Sequence, residues 1–451
     1  KMKFIDLFAG LGGFHLSLEK LGHQCVFASE INQNLRSIYK KNFPSTKQLV
    51  GDITKIDIDS IGKHDILCAG FPCQPFSRAG LRKGFEDEEK GNLFFNIMKI
   101  LNKYHPEFII LENVETLLKH GGNVKKNTLK NSLNLEGETF RTIRKLLEKN
   151  KYERGRYEIA CKVLSPHEFG IPQHRRRLFI VGRLKSKGGL KGFNWPEVKN
   201  INKTSIHNGH FKLSKKIDPK ELECIKLNKD EQLIYDTWHD FVMNFPKEKI
   251  LPSFPIWSHE WGATYNYKEK TPFSSSINEL QKQQGIFGKQ IDSGNKKEII
   301  ENYIPRYAQN ETEVFPTWKI KYIDKNRKFY LENKEYLDRF KEKIKDFEFS
   351  YQKFEWSCMG EKHTFEDKIV QFRQSGLRIS RDRWFPALTT VSTQRPYMPF
   401  AKRKMTVDEL AQLQSLNSLK YKPEFNNGAK KAYGNAVNAE IVEMITKNLL
   451  K

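Results

Sequence analysis

Over roughly its first 185 residues the chain alternates short, nearly all-apolar runs with segments of helical period, and after Gly182 that rhythm stops. The runs at 4–7, 25–28, 66–69, 108–111 and 178–181 are too short for helices and carry no polar alternation. Such runs are strands buried on both faces. Between them, Leu93, Ile97, Ile100, Leu101 and Tyr104 fall on one helical face that Pro106 closes, and Phe140, Ile143, Leu146 and Leu147 repeat the spacing. Strand and helix in alternation demand an α/β fold with a doubly wound, mostly parallel, Rossmann-like sheet covered by helices. With 451 residues there is room for two or three domains. Residues 186–372 are rich in Lys, Asn and aromatics and show no strand–helix rhythm, and Lys-Ser-Lys-Gly-Gly-Leu-Lys-Gly from Lys185 to Gly192 reads as a linker. The expected division is therefore a first domain at 1–185, a second, irregular domain at 186–372, and a segment at 373–451 that returns to the first. That last segment carries helical patterns at 407–416 and 439–450.

Charge narrows the partners. Lys and Arg outnumber Asp and Glu by 78 to 54, a net +24. A surplus of that size suits a polyanion, because neutralised phosphates release their counterions. The cysteines at 25, 68, 73, 161, 224 and 358 include no C-x-x-C pair, so neither a zinc site nor a disulfide framework is expected. No stretch approaches the ~18 uncharged apolar residues of a membrane span, and the chain runs straight into Phe4-Ile5-Asp6-Leu7-Phe8 without a leader pattern. A soluble cytoplasmic protein, associated with the nucleoid, is expected.

Four stretches at strand ends carry chemistry. The first strand leads into Phe8-Ala9-Gly10-Leu11-Gly12-Gly13, a turn that lets a ligand approach the backbone. His15 stands where a dinucleotide fingerprint wants glycine, so no pyrophosphate is implied. Glu30 ends the second strand, where it could hold a ribose diol, and Asp52 follows the third, where it could accept from an adenine amine. The fourth strand runs into Gly70-Phe71-Pro72-Cys73-Gln74-Pro75-Phe76-Ser77, which sets a cysteine between prolines at the sheet's carboxyl edge. Cys68, inside its strand, reads as structural. Glu112-Asn113-Val114 ends the fifth strand, and a carboxyl desolvated there has a raised pKa and can give a proton. In Gln173-His174-Arg175-Arg176-Arg177, Arg175 and Arg177 share one face of an extended segment.

Taken in this order with Gly434-Asn435-Ala436-Val437, these motifs resemble the DNA cytosine-5 methyltransferase family. The likeness covers about 1–185 and 375–451, and Pro-Cys-Gln followed by Glu-Asn-Val is its most specific part. It implies an S-adenosylmethionine-dependent methyltransferase, with S-adenosylhomocysteine as product, acting on a flipped-out cytosine in double-stranded DNA. The catalytic set implied is Cys73, Glu112, Arg175 and Arg177: Cys73 adds at carbon 6, Glu112 protonates N3, Arg177 binds O2, and Arg175 holds Glu112 and favours the thiolate. The implied cofactor set is Phe8, Gly10, Leu11, Gly12, Glu30, Ile31, Asp52, Ile53, Pro72, Leu93, Asn435 and Ala436. Isoleucine at 31, where an aromatic can stack, implies weaker cofactor affinity. No metal is implied.

The implied DNA contacts are Gln74, Ser77, Arg78 and Ala79 in a closing loop at 78–90, with Arg373, Arg378 and Arg381 in a segment at 371–383 that touches phosphates. The middle third lies where the family carries its target-recognition domain, and Ser274–Ser276, 281–284 and Lys289-Gln290 are candidate base-reading stretches. The reading is a monomeric modification enzyme of a restriction–modification or phage system, with a cognate restriction endonuclease as a further partner. Two rivals are weighed. An RNA cytosine-5 methyltransferase of the tRNA branch would show Cys-Phe-Thr, where this chain has Ser357-Cys358-Met359. A regulator that has lost catalysis would not be expected to keep Cys73, Glu112, Arg175 and Arg177.

Overall fold

Seven strands, β1 (Lys3–Leu7), β2 (Gln24–Ser29), β3 (Leu49–Val50), β4 (Ile66–Gly70), β5 (Phe108–Val114), β6 (Tyr157–Leu164) and β8 (Arg177–Leu184), form one sheet in the order β3-β2-β1-β4-β5-β8-β6. A two-residue strand, β7 (Gln173–His174), pairs outside it with Phe385–Pro386. The computed structural model describes residues 1–72, 93–119, 136–148, 157–199, 205–207, 209–388, 395–425 and 427–451. Strands β3, β2, β1, β4 and β5 run parallel, and β8 runs antiparallel between β5 and β6. The chain leaves β1 for β2 and β3 on one side and returns to β4 on the other. This reversal opens a crevice at the carboxyl ends of β1 and β4, the usual ligand position in such sheets.

The helices are α1 (Gly13–Lys20), α2 (Gln33–Asn42), α3 (Leu93–Tyr104) and α4 (Glu138–Glu148). α2 begins where the Asn32 side chain accepts from the Asn34 and Leu35 amides. α3 and α4 bury the apolar stripes read from the sequence, with Ile97, Leu101, Phe140 and Ile143 packed against Leu67, Ile109 and Ile180 of the sheet. β6 has no counterpart in the sequence reading. It alternates, with Tyr157 and Ile159 buried and Glu158 exposed, so it lacks the continuous apolar run of its neighbours.

The chain divides into two compact units, one of residues 1–217, 383–392 and 406–451 and one of 218–382 and 393–405. These boundaries differ from the composition shift. Residues up to Ile217 stay with the first unit because the Lys212 and Ser214 amides donate to Gln412 and Glu409 side chains, each at 2.8 Å. Residues 373–382 belong to the second unit because strand Ile369–Arg373 pairs with Gly376–Ser380. At the C-terminus, helix Ala439–Leu449 is tied to α1 by Ser17 Oγ, which donates to the Ala439 carbonyl at 2.6 Å.

The second unit holds a sheet of six short strands, in the order Arg403–Lys404, Tyr397–Met398, Ile369–Arg373, Gly376–Ser380, Lys353–Ser357, Ile256–Trp257. Phe354, Trp356, Val370, Phe372, Leu377 and Ile379 form its inner face and pack with Trp238, Phe241 and Phe340 from helices Lys229–Met243 and Lys334–Ile344. A stretch without strand–helix rhythm thus builds its core from aromatics spread along the sequence. No helix among the described residues is long and apolar enough to cross a membrane.

Candidate active site

The Gly-rich turn after β1 is held open by backbone conformation and by one carboxylate. Phe8, Gly10 and Gly12 all have positive φ, at 58°, 56° and 85°. At Gly12 glycine is also needed for space, since a Cβ there would overlap the Phe43 ring. Glu30 Oε2 accepts from the Gly10 amide at 2.8 Å and Oε1 from the Asn32 amide at 2.8 Å, so the carboxylate at the end of β2 braces the turn. Arg36 Nη1 donates to the Glu30 and Ile31 carbonyls at 2.7 and 3.0 Å. Ile31 is left 72% exposed beside this brace. Asp52 caps the short turn after β3, accepting from the Thr54 amide and hydroxyl at 2.9 and 2.7 Å, and these bonds hold its carboxyl below the usual range.

The other residues of the implied cofactor set divide by burial. Leu11, Gly12, Ile53 and Ala436 are buried, Phe8, Gly10 and Leu93 are half-buried, and Pro72 and Asn435 are exposed. Each Glu30 oxygen keeps lone pairs beyond its amide bond. With the exposed Ile31 and the Asp52 carboxyl on the neighbouring strand ends, this edge offers an apolar surface and two carboxylates. Those acceptors and that surface fit a nucleoside whose ribose diol and exocyclic amine donate.

Beneath the turn lies a buried polar cluster that the sequence reading did not find. Tyr39 Oη donates to Asp6 Oδ2 at 3.4 Å and is hydrogen-bonded to His15 Nδ1 at 2.7 Å, and the His15 ring stacks on Phe43 at 3.9 Å. Burial pushes the Asp6 carboxyl well above its ordinary value and pushes His15 down to about 3. Burial thus disfavours a charge on either group. Its only sequence signal was His15 in place of the fingerprint glycine.

At the next strand ends the geometry tightens. Gly70 of β4 pairs with Glu112 of β5. Asn113 Nδ2 donates to the Phe71 carbonyl at 2.8 Å, which fixes the chain two residues before Cys73. Cys73 itself lies outside the described residues. Glu112 is 7% exposed, and burial raises its carboxyl against the pull of Arg177 and then Arg175. Arg177 Nε stands 3.2 Å from Glu112 Oε1. Arg175, which the resemblance assigns to Glu112, instead donates from Nη2 to the Ala436 carbonyl at 3.0 Å, and its amide donates to Ser165 Oγ at 2.9 Å. Burial lowers the Arg175 guanidinium to about 9, which still leaves it charged at pH 7. One carboxyl beside the buried Arg175 and the half-buried Arg177 leaves a positive surplus that favours an anion, such as a thiolate or a carbonyl oxygen gaining charge.

The profile of the C-5 cytosine-specific DNA methylase family matches residues 2–451. The chain belongs to this family. Among its relatives in the family, Type II methyltransferase M.DsaV of Dactylococcopsis salina is 44% identical over 182 residues, covering 40% of this chain and 46% of that one. M.NgoBV of Neisseria gonorrhoeae is 41% identical over 234 residues, or 49% and 52% of the two chains. M.HhaI of Haemophilus parahaemolyticus is 36% identical over 201 residues, or 45% and 54%. The chain spans about half the length of these curated relatives. The sheet order and crevice described above are those of an S-adenosylmethionine-dependent methyltransferase fold.

Of the positions that the resemblance assigns to DNA, the described ones have carboxylate partners within the second unit. Gln74, Ser77, Arg78, Ala79 and the rest of 78–90 lie outside the described residues. In the second unit Arg373 Nη2 pairs with Glu355 at 2.6 Å, Arg378 Nε with the same carboxylate at 3.3 Å, and Arg381 Nε with Glu361 at 2.6 Å. Three arginines assigned to phosphates thus already serve two carboxylates. Ser276 caps helix Ile277–Gln281, Ser275 Oγ donates to the Thr271 carbonyl, and Ser274 Oγ donates to the Glu313 carbonyl. Gln283 Oε1 accepts from the Asn266 amide, and Gln290 Nε2 donates to the Gln281 carbonyl. Several side chains of these polar stretches are thus tied to local structure.

Proposed function

We propose that this protein transfers a methyl group to carbon 5 of a cytosine flipped out of a specific double-stranded DNA sequence. The observation that carries the reading is Glu112. Its buried carboxyl lies beside Arg177, and Asn113, the next residue, holds the chain that leads into Pro72-Cys73. Carbon 5 of cytosine is a weak nucleophile, so electrons must be pushed into the ring. The Cys73 thiolate adds at carbon 6, Glu112 gives a proton to N3, and Arg177 binds O2, so the adduct becomes an enamine nucleophilic at carbon 5. After transfer, loss of the carbon 5 proton and elimination of Cys73 release 5-methylcytosine. The target base cannot react within the stack, which requires flipping.

S-adenosylmethionine supplies the electrophilic methyl. Glu30 would take the ribose hydroxyls, Asp52 the adenine amine, Asn435 and Ala436 the methionine end, and Phe8, Leu11, Ile31, Ile53, Pro72 and Leu93 the apolar surround. Arg175 contributes its charge from the Ala436 side. The second unit is the target-recognition module. The relatives' names as Type II methyltransferases support a modification enzyme, and we take it to act as a monomer beside an endonuclease of the same site.

Bisulfite sequencing of DNA from a host expressing the protein tests this. A single short motif protected from conversion is expected. DNA that converts completely, with the protein present and folded, would refute the reading.

A further inference from the structure

Gln173 and Gln414 are both fully buried in the first unit, and neither is in the catalytic or cofactor set above. Gln414 Nε2 donates to Gln173 Oε1 at 3.0 Å, while Gln173 Nε2 and Gln414 Oε1 have no partner among the described residues. A buried amide pair satisfied on one side only is costly, and two apolar side chains of similar length would fill the space at less cost. The pair joins two segments that matter to the site. Gln173 opens the stretch in which Arg175 Nη2 reaches the Ala436 carbonyl at 3.0 Å. The Gln414 carbonyl accepts from the Ala439 amide at 3.0 Å, and Asn438 Nδ2 donates to the Leu413 carbonyl at 3.1 Å. The stretch 173–177 and the segment 434–439 are therefore tied at two levels, one amide pair and one guanidinium.

We infer that Gln173 and Gln414 are positioning residues, which hold the stretch 173–177 against the C-terminal segment so that Arg175 stays between the Ala436 carbonyl and Glu112. The inference rests on the reading of Glu112 as the proton donor to cytosine. Neither glutamine touches the base. Their effect passes through Arg175, one of the two charged groups acting on Glu112, the other being Arg177.

The test is the double variant Gln173→Met with Gln414→Met in the full chain. It is assayed by thermal melting and by single-turnover transfer of tritiated methyl from S-adenosylmethionine to unmethylated plasmid DNA across a range of pH. The melting temperature should stay within a few degrees of wild type, because both polar partners are removed together. The rate should fall about ten- to a hundredfold, as misplacement of a charged group costs in a preorganised site. The alkaline limb of the pH profile should move to higher pH, since a displaced Arg175 no longer favours the Glu112 carboxylate. A double variant that melts, turns over and titrates like wild type overturns the inference. Should the double variant fail to fold, Gln414→Asn shortens the amide by one methylene and keeps its polarity. The same shift of the limb is then expected, and an unmoved limb overturns the inference. A wild-type protein that transfers no methyl sinks the parent reading first and this one with it.

Discussion

Arg177 Nε lies 3.2 Å from Glu112 Oε1, close enough to pair in charge, yet among the described residues that oxygen accepts no hydrogen bond. A buried carboxyl oxygen without a donor is either costly or reserved for something that arrives later. Here the position beside the chain leading to Cys73 makes a bound base the natural visitor.

Replacing Glu112 by Gln keeps a neutral hydrogen-bonding group but removes the proton. Turnover is expected to fall by ~10²–10⁴, the usual worth of general acid catalysis. Burial raises the Glu112 pKa, so in the wild type the active protonated form is present below that value and is lost as pH rises through it. The variant should lose that alkaline limb. Linkage has the same sign. The stability gained from the neutral carboxyl is full below the unfolded pKa and fades as pH rises through the folded one. Glu112→Gln should therefore melt no lower than wild type at about pH 7. A variant that turns over normally, or keeps the limb, would remove Glu112 from the mechanism.

Two cysteines five residues apart should behave oppositely. Cys73→Ser should abolish methyl transfer while a gel shift still detects DNA binding, because phosphate contacts lie elsewhere. Cys68 is fully buried in β4, and burial raises its thiol well above the usual value. In native protein treated with iodoacetamide, mass spectrometry should find Cys73 alkylated and Cys68 untouched. Cys68→Ala should cost only modest stability. Labelling of Cys68 before Cys73 would contradict the assignment.

The strands at the centre of the first sheet were legible because each is buried on both faces and so reads as an unbroken apolar run. β6 was not, since Glu158 and Lys162 face outward and break the run. The placing of Glu30 and Glu112 at strand ends was legible because strand ends on the carboxyl edge converge in this kind of sheet. The contact of Arg175 with Ala436 spans 261 residues of sequence, and that of Gln173 with Gln414 spans 241. No local pattern announces either. The second unit's core was hidden for a similar reason. Trp238, Phe354 and Phe365 meet in space from three separate segments, none of which shows a helical or alternating period strong enough to place it.

Asp6 gives a prediction about stability alone. Its carboxyl is fully buried, Oδ1 has no hydrogen-bond partner among the described residues, and burial pushes its pKa well above the usual value. A folded pKa above the unfolded one contributes stability that is complete below the unfolded value and is lost as pH rises through the folded value. The wild type should thus lose melting temperature on the alkaline side. Asp6→Asn keeps the shape and a neutral group, so it should retain the fold at pH 7 and lose less on raising the pH. Melting curves of both proteins across the alkaline range decide it. Parallel curves would mean that Asp6 is not neutral in the fold.

The second unit should carry the choice of DNA sequence, and the structure dictates how that must be tested. A graft of 186–372 alone would cut strand Ile369–Arg373 one residue from its end and part it from Gly376–Ser380. It would also leave Tyr397 of the host beside a foreign Val370 position, and it would replace Lys212 and Ser214, which bind Gln412 and Glu409 of the first unit. A graft of 218–382 together with 393–405 keeps the six-stranded sheet whole. Such a chimera, built with the corresponding parts of a relative that methylates a known site, should fold and bind S-adenosylmethionine as the parent does. The Glu30 brace, Asp52 and Asn435-Ala436 all remain in the first unit. It should modify the donor's cytosine, read by bisulfite sequencing, while the 186–372 graft should fail to give soluble protein. A chimera that binds the cofactor normally and still methylates the parent's site would place sequence choice in the first unit, where the 78–90 stretch is the remaining candidate.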